Sequence, residues 1–203
     1  MDVSDLVWCD AFSCVDVDPD RYTIPPGPLN PDEVTLLMVA EAPPADPADW
    51  FFAGADALYA RTTVQAFRDA GEEVDTIDDV LALGVYLTTA VKCGRANPGL
   101  STATIESCSR LLEEEIGLFP LARALMPMGD TAIAAVNRIA KRHAVPRPVP
   151  GNTGSGIRGG EYWFRGLRVF PSYLQASQAF FVETGTRRLI AEDIAAALAY
   201  ARE

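Results

Sequence analysis

A three-layer α/β/α sandwich around a central, mainly parallel four-stranded sheet is the fold class that this 203-residue sequence predicts. Two observations carry the expectation. Short aliphatic and β-branched runs, of the kind a parallel sheet buries on both faces, alternate along the chain with stretches of helical periodicity. Apolar residues make up 49% of the chain and charged residues 22%, a balance that lets one core serve a single domain over residues 1–203.

The elements follow in chain order. The first 34 residues, rich in acids and prolines, read as a wrapping segment. Thr35–Ala40 is the first buried strand, and Arg61–Ala70 is a helix stopped by Gly71. Val85–Val91 is the second strand. The helix Thr102–Leu118 carries Ile105, Leu111, Leu112 and Ile116 on related turns. Ala122–Met128 is the third strand, and the helix Asp130–Arg142 opens on a capping aspartate. Between Val145 and Gly160, three prolines precede Gly151, Gly154, Gly156, Gly159 and Gly160, which predicts an irregular loop. Leu167–Phe170 is the last strand and Arg187–Arg202 the closing helix. Open parallel sheets bind ligands beyond the carboxyl ends of their strands, so the segments after Ala40, Val91, Met128 and Phe170 are the ones to inspect.

A net charge of -11 speaks against phosphate binding on average, yet the charge is uneven. Residues 1–91 hold 18 acids against 3 bases, whereas residues 92–168 hold 6 acids against 11 bases. Between positions 138 and 168 the only acid is Glu161, against Arg138, Lys141, Arg142, Arg147, Arg158, Arg165 and Arg168. Folding either gathers these into a basic face, with Arg142, Arg147 and Arg158 as DNA contacts, or leaves them as scattered solvated charges. No apolar run approaches the ~20 residues that cross a bilayer, and Asp2 and Asp5 stand where a signal peptide carries bases. A cytoplasmic protein without membrane partners is the expectation. Neither a phosphate-binding lysine loop nor a dinucleotide fingerprint follows a strand, so nothing points to nicotinamide, flavin or nucleoside triphosphate.

Cysteine occurs four times, as Cys9 and Cys14 and then as the distant pair Cys93 and Cys108. Two readings stand. The thiolates converge on a metal centre, zinc or iron–sulfur, or they are small buried hydrophobes. Lys92 and Arg95 beside Cys93 favour the thiolate form of that residue.

After the first strand comes Ala40-Glu41-Ala42-Pro43-Pro44, followed by Asp46, Asp49, Trp50, Phe51, Phe52 and Gly54. A carboxylate beside rigid backbone and aromatic rings at a strand end suits a pocket for a planar ring. Here the chain resembles the uracil-DNA glycosylase superfamily, most closely its iron–sulfur group, called the fourth family. That group's first motif reads Gly-Glu-Ala-Pro-Gly and is followed by Phe-x-Gly, which Phe52-Ala53-Gly54 matches. Further likenesses keep the same order. Val85 to Cys93 resembles the group's strand ending in Val-Lys-Cys, Met128-Gly129-Asp130 with Ala132 resembles Leu-Gly-x-x-Ala, and Pro171-Ser172-Tyr173-Leu174 resembles His-Pro-Ser-x-Leu. The likeness runs from about residue 9 to 177.

The resemblance implies an iron–sulfur cluster of the 4Fe–4S type on Cys9, Cys14, Cys93 and Cys108, with zinc as the alternative, in a structural role. It implies a DNA-repair glycosylase that hydrolyses the N-glycosidic bond of uracil or another damaged base without a divalent catalytic metal. Glu41 is the carboxylate for this chemistry, with Asp46 and Asp49 in reserve. Ala42 and Pro43 frame the base, a ring from Phe52, Phe51 or Trp50 stacks on it, and Leu174 with Tyr173 fills the vacated space in the duplex. Two departures remove polar recognition: Thr89 stands for the group's asparagine and Phe170 for its histidine. Ser172, Tyr173, Gln175 and backbone N–H groups are the substitutes. The sole histidine, His143, reads as a solvated helix cap. The expected partner is DNA carrying a damaged or deaminated base, bound by a monomer. A catalytically degenerate nucleobase- or DNA-binding module of the same fold is the alternative, and the acidic first ninety residues raise a protein-interaction domain as a third.

Overall fold

The computed structural model describes residues 1–96, 99–151 and 156–203, so Gly154 of the glycine-rich loop lies outside the described residues. The sheet grows around β2 (Leu36–Ala40), whose five residues are all buried. β3 (Val85–Thr89) lies parallel on one side of it and β5 (Ala124–Pro127) parallel on the other. Beyond β5 come β7 (Leu167–Val169), parallel, and β6 (Tyr162–Phe164), antiparallel at the edge, giving the order β3-β2-β5-β7-β6. The four expected strands are therefore present. The fifth arises because Arg165-Gly166 turns the chain sharply, both at positive φ, and folds a hairpin back onto β7.

Alternation along β2 divides the core into two layers. Leu36, Met38 and Ala40 face α1 (Leu58–Asp69), α2 (Ile77–Ala82) and α5 (Thr184–Ala201). Leu37 and Val39 face α3 (Thr102–Gly117) and α4 (Asp130–Arg142). The short helix α2 is additional to the expected helices, and Thr76 and Asp79 start it with a reciprocal capping box. No helix among the described residues is long and apolar enough to cross a membrane.

The first 34 residues send Val3, Val7, Ile24 and Val34 into the core. They also carry β1 (Val17–Tyr22), which pairs antiparallel with β4 (Cys93–Arg95) in a separate two-stranded ladder. Asp16 pins this segment to the start of α3: its carboxylate accepts from the Ser101 amide at 2.5 Å and from the Thr104 hydroxyl. Burial works against that carboxylate, but the bonds from Ser101 and Thr104 outweigh it and hold Asp16 below the usual range.

β2 is the strand where connections reverse direction. The chain leaves it on one side for β3 and returns on the other side to β5. The crevice beyond the carboxyl ends of β2 and β5 is the topological switch point where α/β sheets hold ligands.

Candidate active site and cysteine centre

Glu41 follows β2 directly and stands at that switch point. Its Oε1 accepts the Thr131 amide of the first turn of α4 at 3.0 Å, and its Oε2 accepts Arg95 Nη2 at 2.7 Å. Thus α4, whose N-cap Gly129 offers no side chain, takes its cap from a carboxylate 90 residues away in sequence. Gly129 has φ of +89°, and a Cβ there would stand 2.8 Å from Glu41 Oε1. The glycine is needed both for its backbone and for the space that Glu41 fills.

The segment after β7 reaches the same end of the sheet. Met128 and Ser172 form a parallel bridge, and the Gly129 amide donates to the Ser172 carbonyl at 3.0 Å. The segments after Ala40 and Phe170 therefore lie at the same end of the sheet, with Met128 and Gly129 between them. Ser172 itself is 1% exposed, and its hydroxyl donates to Asp193 of α5 at 2.7 Å. That bond ties the segment after β7 to α5. Neither Glu41 nor Ser172 lines the cavities of about 570, 350, 290 and 240 Å³ among the described residues.

Asp46 and Asp49 do not join Glu41. Asp46 accepts the Ala48 amide as the cap of a 3-10 turn, and Asp49 accepts the Leu58 amide at the start of α1. Short polar side chains at loop starts commonly cap in this way. Phe52 lies against Trp50 and Phe51 and lines an outer cavity of about 570 Å³ beside α1, away from the carboxylate. The ring in electrostatic reach of Glu41 is Tyr59, whose hydroxyl donates to the Ala42 carbonyl at 3.3 Å. Burial, opposed by Arg95 and aided by Glu41 and Asp49, brings that phenol up to about 12. Pro43 lines a smaller cavity with Pro44, Trp50 and Arg21.

Thr89 is fully buried on the α1 side of the sheet, beside Ala40 in register. Thr89 Oγ1 and Gln175 Oε1 are buried side-chain polar atoms with no hydrogen-bond partner among the described residues. Gln175 is anchored through Nε2 to Thr63 of α1 at 3.1 Å, which leaves its carbonyl oxygen unmatched. Phe170 packs against the Tyr200 ring and the Arg168 guanidinium on the α5 side. Tyr173 and Leu174 are half-buried against the α1/α5 layer, at the Glu41 end of the sheet.

All four cysteines line one cavity of about 290 Å³, together with Trp8, Phe12, Tyr22 and Lys92. Cys93 and Cys108 are buried, while Cys9 and Cys14 are partly exposed. Burial, with repulsion from Cys108, Cys9 and Cys14 adding to it, pushes the Cys93 thiol up to about 12. Burial also raises Cys108, against a hydrogen bond from the Lys92 amide. Four thiols crowded this way ionise together only if a cationic centre neutralises them. Among the described residues no group of three or more Cys, His, Asp and Glu is arranged to grip a single ion. The side chains of Lys92 and Arg95 are directed elsewhere than the sequence predicts. The Lys92 ammonium is fully buried and pairs with Glu115, and it also donates to Thr88 Oγ1 at 2.8 Å.

Of the two alternatives for the basic stretch, the structure favours separated charges. Arg142 ends α4 about 18 Å from its first turn, at 1.5 Å per residue, and pairs with Glu106 and Glu113. Arg158 lies in the opposite layer, bound to Asp193 and to the Leu189 carbonyl of α5. Acids of α3 and α5 thus face these two arginines. Arg147 is exposed and makes no ion pair among the described residues. His143 is partly exposed and meets Glu113 at 2.6 Å.

Arg95 and Tyr59 are the site residues that sequence reasoning misses. Arg95 is separated from Glu41 by 54 residues, and the one local signal for it was its place two residues after Cys93. Tyr59 gave no signal beyond an aromatic on a helical face.

No protein-family model matches the chain. Over 82 residues it is 32% identical to a type-5 uracil-DNA glycosylase of Thermus thermophilus. The match covers 36% of this chain and 37% of the relative's length. That likeness holds at the level of uracil-DNA glycosylases as a whole and does not single out the fourth family.

Proposed function

We propose that this protein is a DNA glycosylase that hydrolyses the N-glycosidic bond of uracil or another damaged base. The observation that carries the reading is Glu41, fixed at the switch point of the sheet by Arg95 and Thr131. Breaking the bond from C1′ to the base nitrogen leaves the electron pair on the base and an oxocarbenium-like sugar. Glu41 orients a water toward C1′ and steadies the cationic sugar, and the water's proton passes to solvent. Its carboxylate retains lone pairs for that water beyond the two already engaged. The unmatched oxygens of Thr89 and Gln175 would gain partners from the edge of an everted base or from water, which supports a polar pocket beneath α1. Tyr173 and Leu174 occupy the loop from which a wedge would enter the duplex.

Cys9, Cys14, Cys93 and Cys108 would hold an iron–sulfur cluster. Bound there, it would supply a cross-link between the N-terminal segment, β4 and α3 rather than chemistry at the base. All four sulfurs border one cavity, which supports a shared centre there. Freshly isolated protein is expected to be brown and to contain iron and labile sulfide. A colourless protein with one zinc transfers the site to zinc, and one with neither metal removes the centre.

The test of the activity uses single- and double-stranded oligonucleotides carrying uracil, hypoxanthine or an oxidised pyrimidine. Abasic sites in at least one substrate are the expected product, and their absence in all of them overturns the reading. A second reading, a module that binds such bases without cutting, draws on Phe170, whose ring is committed to Tyr200 and Arg168. Salt-dependent binding without product is its signature.

A further inference from the structure

We infer that Arg95 is a positioning residue that sets the orientation of the Glu41 carboxylate; its consequence for catalysis rests on the glycosylase reading. A glutamate side chain at a strand end is free about three bonds, and two anchors of different origin remove that freedom here. The Thr131 amide holds Oε1 at 3.0 Å from the α4 side, and Arg95 Nη2 holds Oε2 at 2.7 Å from β4.

Arg95 is itself held by a clasp on the N-terminal segment. Arg21 donates through Nη2 to the Arg95 carbonyl at 2.7 Å, through Nε to Asp18 at 2.8 Å, and through Nη1 to the carbonyl of Ala45, four residues past Glu41. One guanidinium thus ties together β1, β4 and the loop that follows Glu41. Gly94 makes room for it, since a Cβ there would stand 2.9 Å from Arg21 Cζ and Nε. The clasp fixes the backbone of Arg95, and the Arg95 side chain passes that fixed position to Glu41. The Glu41 and Arg95 side chains are 17% and 33% exposed, so the pair borders solvent where a nucleotide sugar would approach. A lysine would supply the charge but not the planar fork that sets direction.

The test compares wild type with Arg95→Met, Arg95→Lys and Glu41→Gln, reading kcat and KM for base release together with hydrogen exchange at the Thr131 amide. Arg95→Met is expected to lower kcat about 100-fold, the cost of a carboxylate misplaced by about 1 Å, with KM changed by less than about threefold. It is also expected to speed Thr131 exchange about tenfold, as that amide loses its acceptor. Arg95→Lys should recover part of both effects. Unchanged kcat and unchanged exchange in Arg95→Met, beside an inactive Glu41→Gln, overturn the role of Arg95 and leave the glycosylase reading standing. Full activity in Glu41→Gln overturns that reading, while exchange at Thr131 still reports whether Arg95 orients Glu41. Should Arg95→Met fail to fold, Arg95→Lys decides by exchange alone: faster exchange than wild type supports the role and an unchanged rate overturns it.

Discussion

At the scale of single residues, the site rests on how closely Glu41 approaches Gly129. Gly129→Ala is expected to cost about 1–3 kcal/mol for its positive φ, and its Cβ would push the carboxylate off the Thr131 amide. Urea unfolding should record the loss of stability, with a larger loss of base release than stability alone explains. Full activity and wild-type stability would show that the contact does not matter. That Glu41 closes the first strand was legible in sequence, because the apolar run before it marks that strand. The contacts of Arg95 and Tyr59 were not, because they lie with partners 54 and 17 residues distant, which only folding brings near. The capping role of Asp46 was not legible either, since a capping aspartate looks like any other carboxylate near a motif.

Among the elements, the parallel strands and long helices announced themselves by unbroken apolar runs and helical periodicity. The three-residue strands β4 and β6 are too short for periodicity to register. The basic stretch from 138 to 168 was legible as charge but not as partners, since α3 and α5 bring the acids that bind it. The same holds for β3 and α3, joined by the buried pair of Lys92 and Glu115. Around it, the Tyr86 hydroxyl donates to Glu115 Oε1 at 2.9 Å and the Thr88 hydroxyl donates to the same oxygen at 3.0 Å. Burial, with Glu115 adding, raises the Tyr86 phenol well above its ordinary value. Glu115→Ala strands the ammonium and is expected to cost about 3–5 kcal/mol in urea unfolding. The double change Lys92→Met with Glu115→Leu should recover most of that loss. A single variant as stable as wild type would contradict the role of the pair.

Across the whole molecule, acid pairs close the outer layers, and their titration sets a limit on stability. The hydrogen bond from Arg187 holds Asp69 below its ordinary range. For Glu113, burial opposes ionisation, but Arg142 and Arg165 outweigh it and the carboxyl again falls below its ordinary range. A carboxyl lowered in the folded state contributes fully above its unfolded value and loses that contribution as pH falls through its folded value. Unfolding free energy is therefore expected to fall as pH drops below about 4, near the unfolded carboxyl values. Arg187→Met should flatten part of that slope, and an unchanged slope would contradict the assignment.

The architecture sets one carboxylate, Glu41, at the switch point of the sheet. The decisive quantity is the single-turnover rate of base release, measured for wild type and for Glu41→Gln on whichever damaged base is cut fastest. A fall of at least about 100-fold is expected in the variant, with its urea midpoint close to wild type. Release at the wild-type rate by a folded Glu41→Gln protein would contradict it.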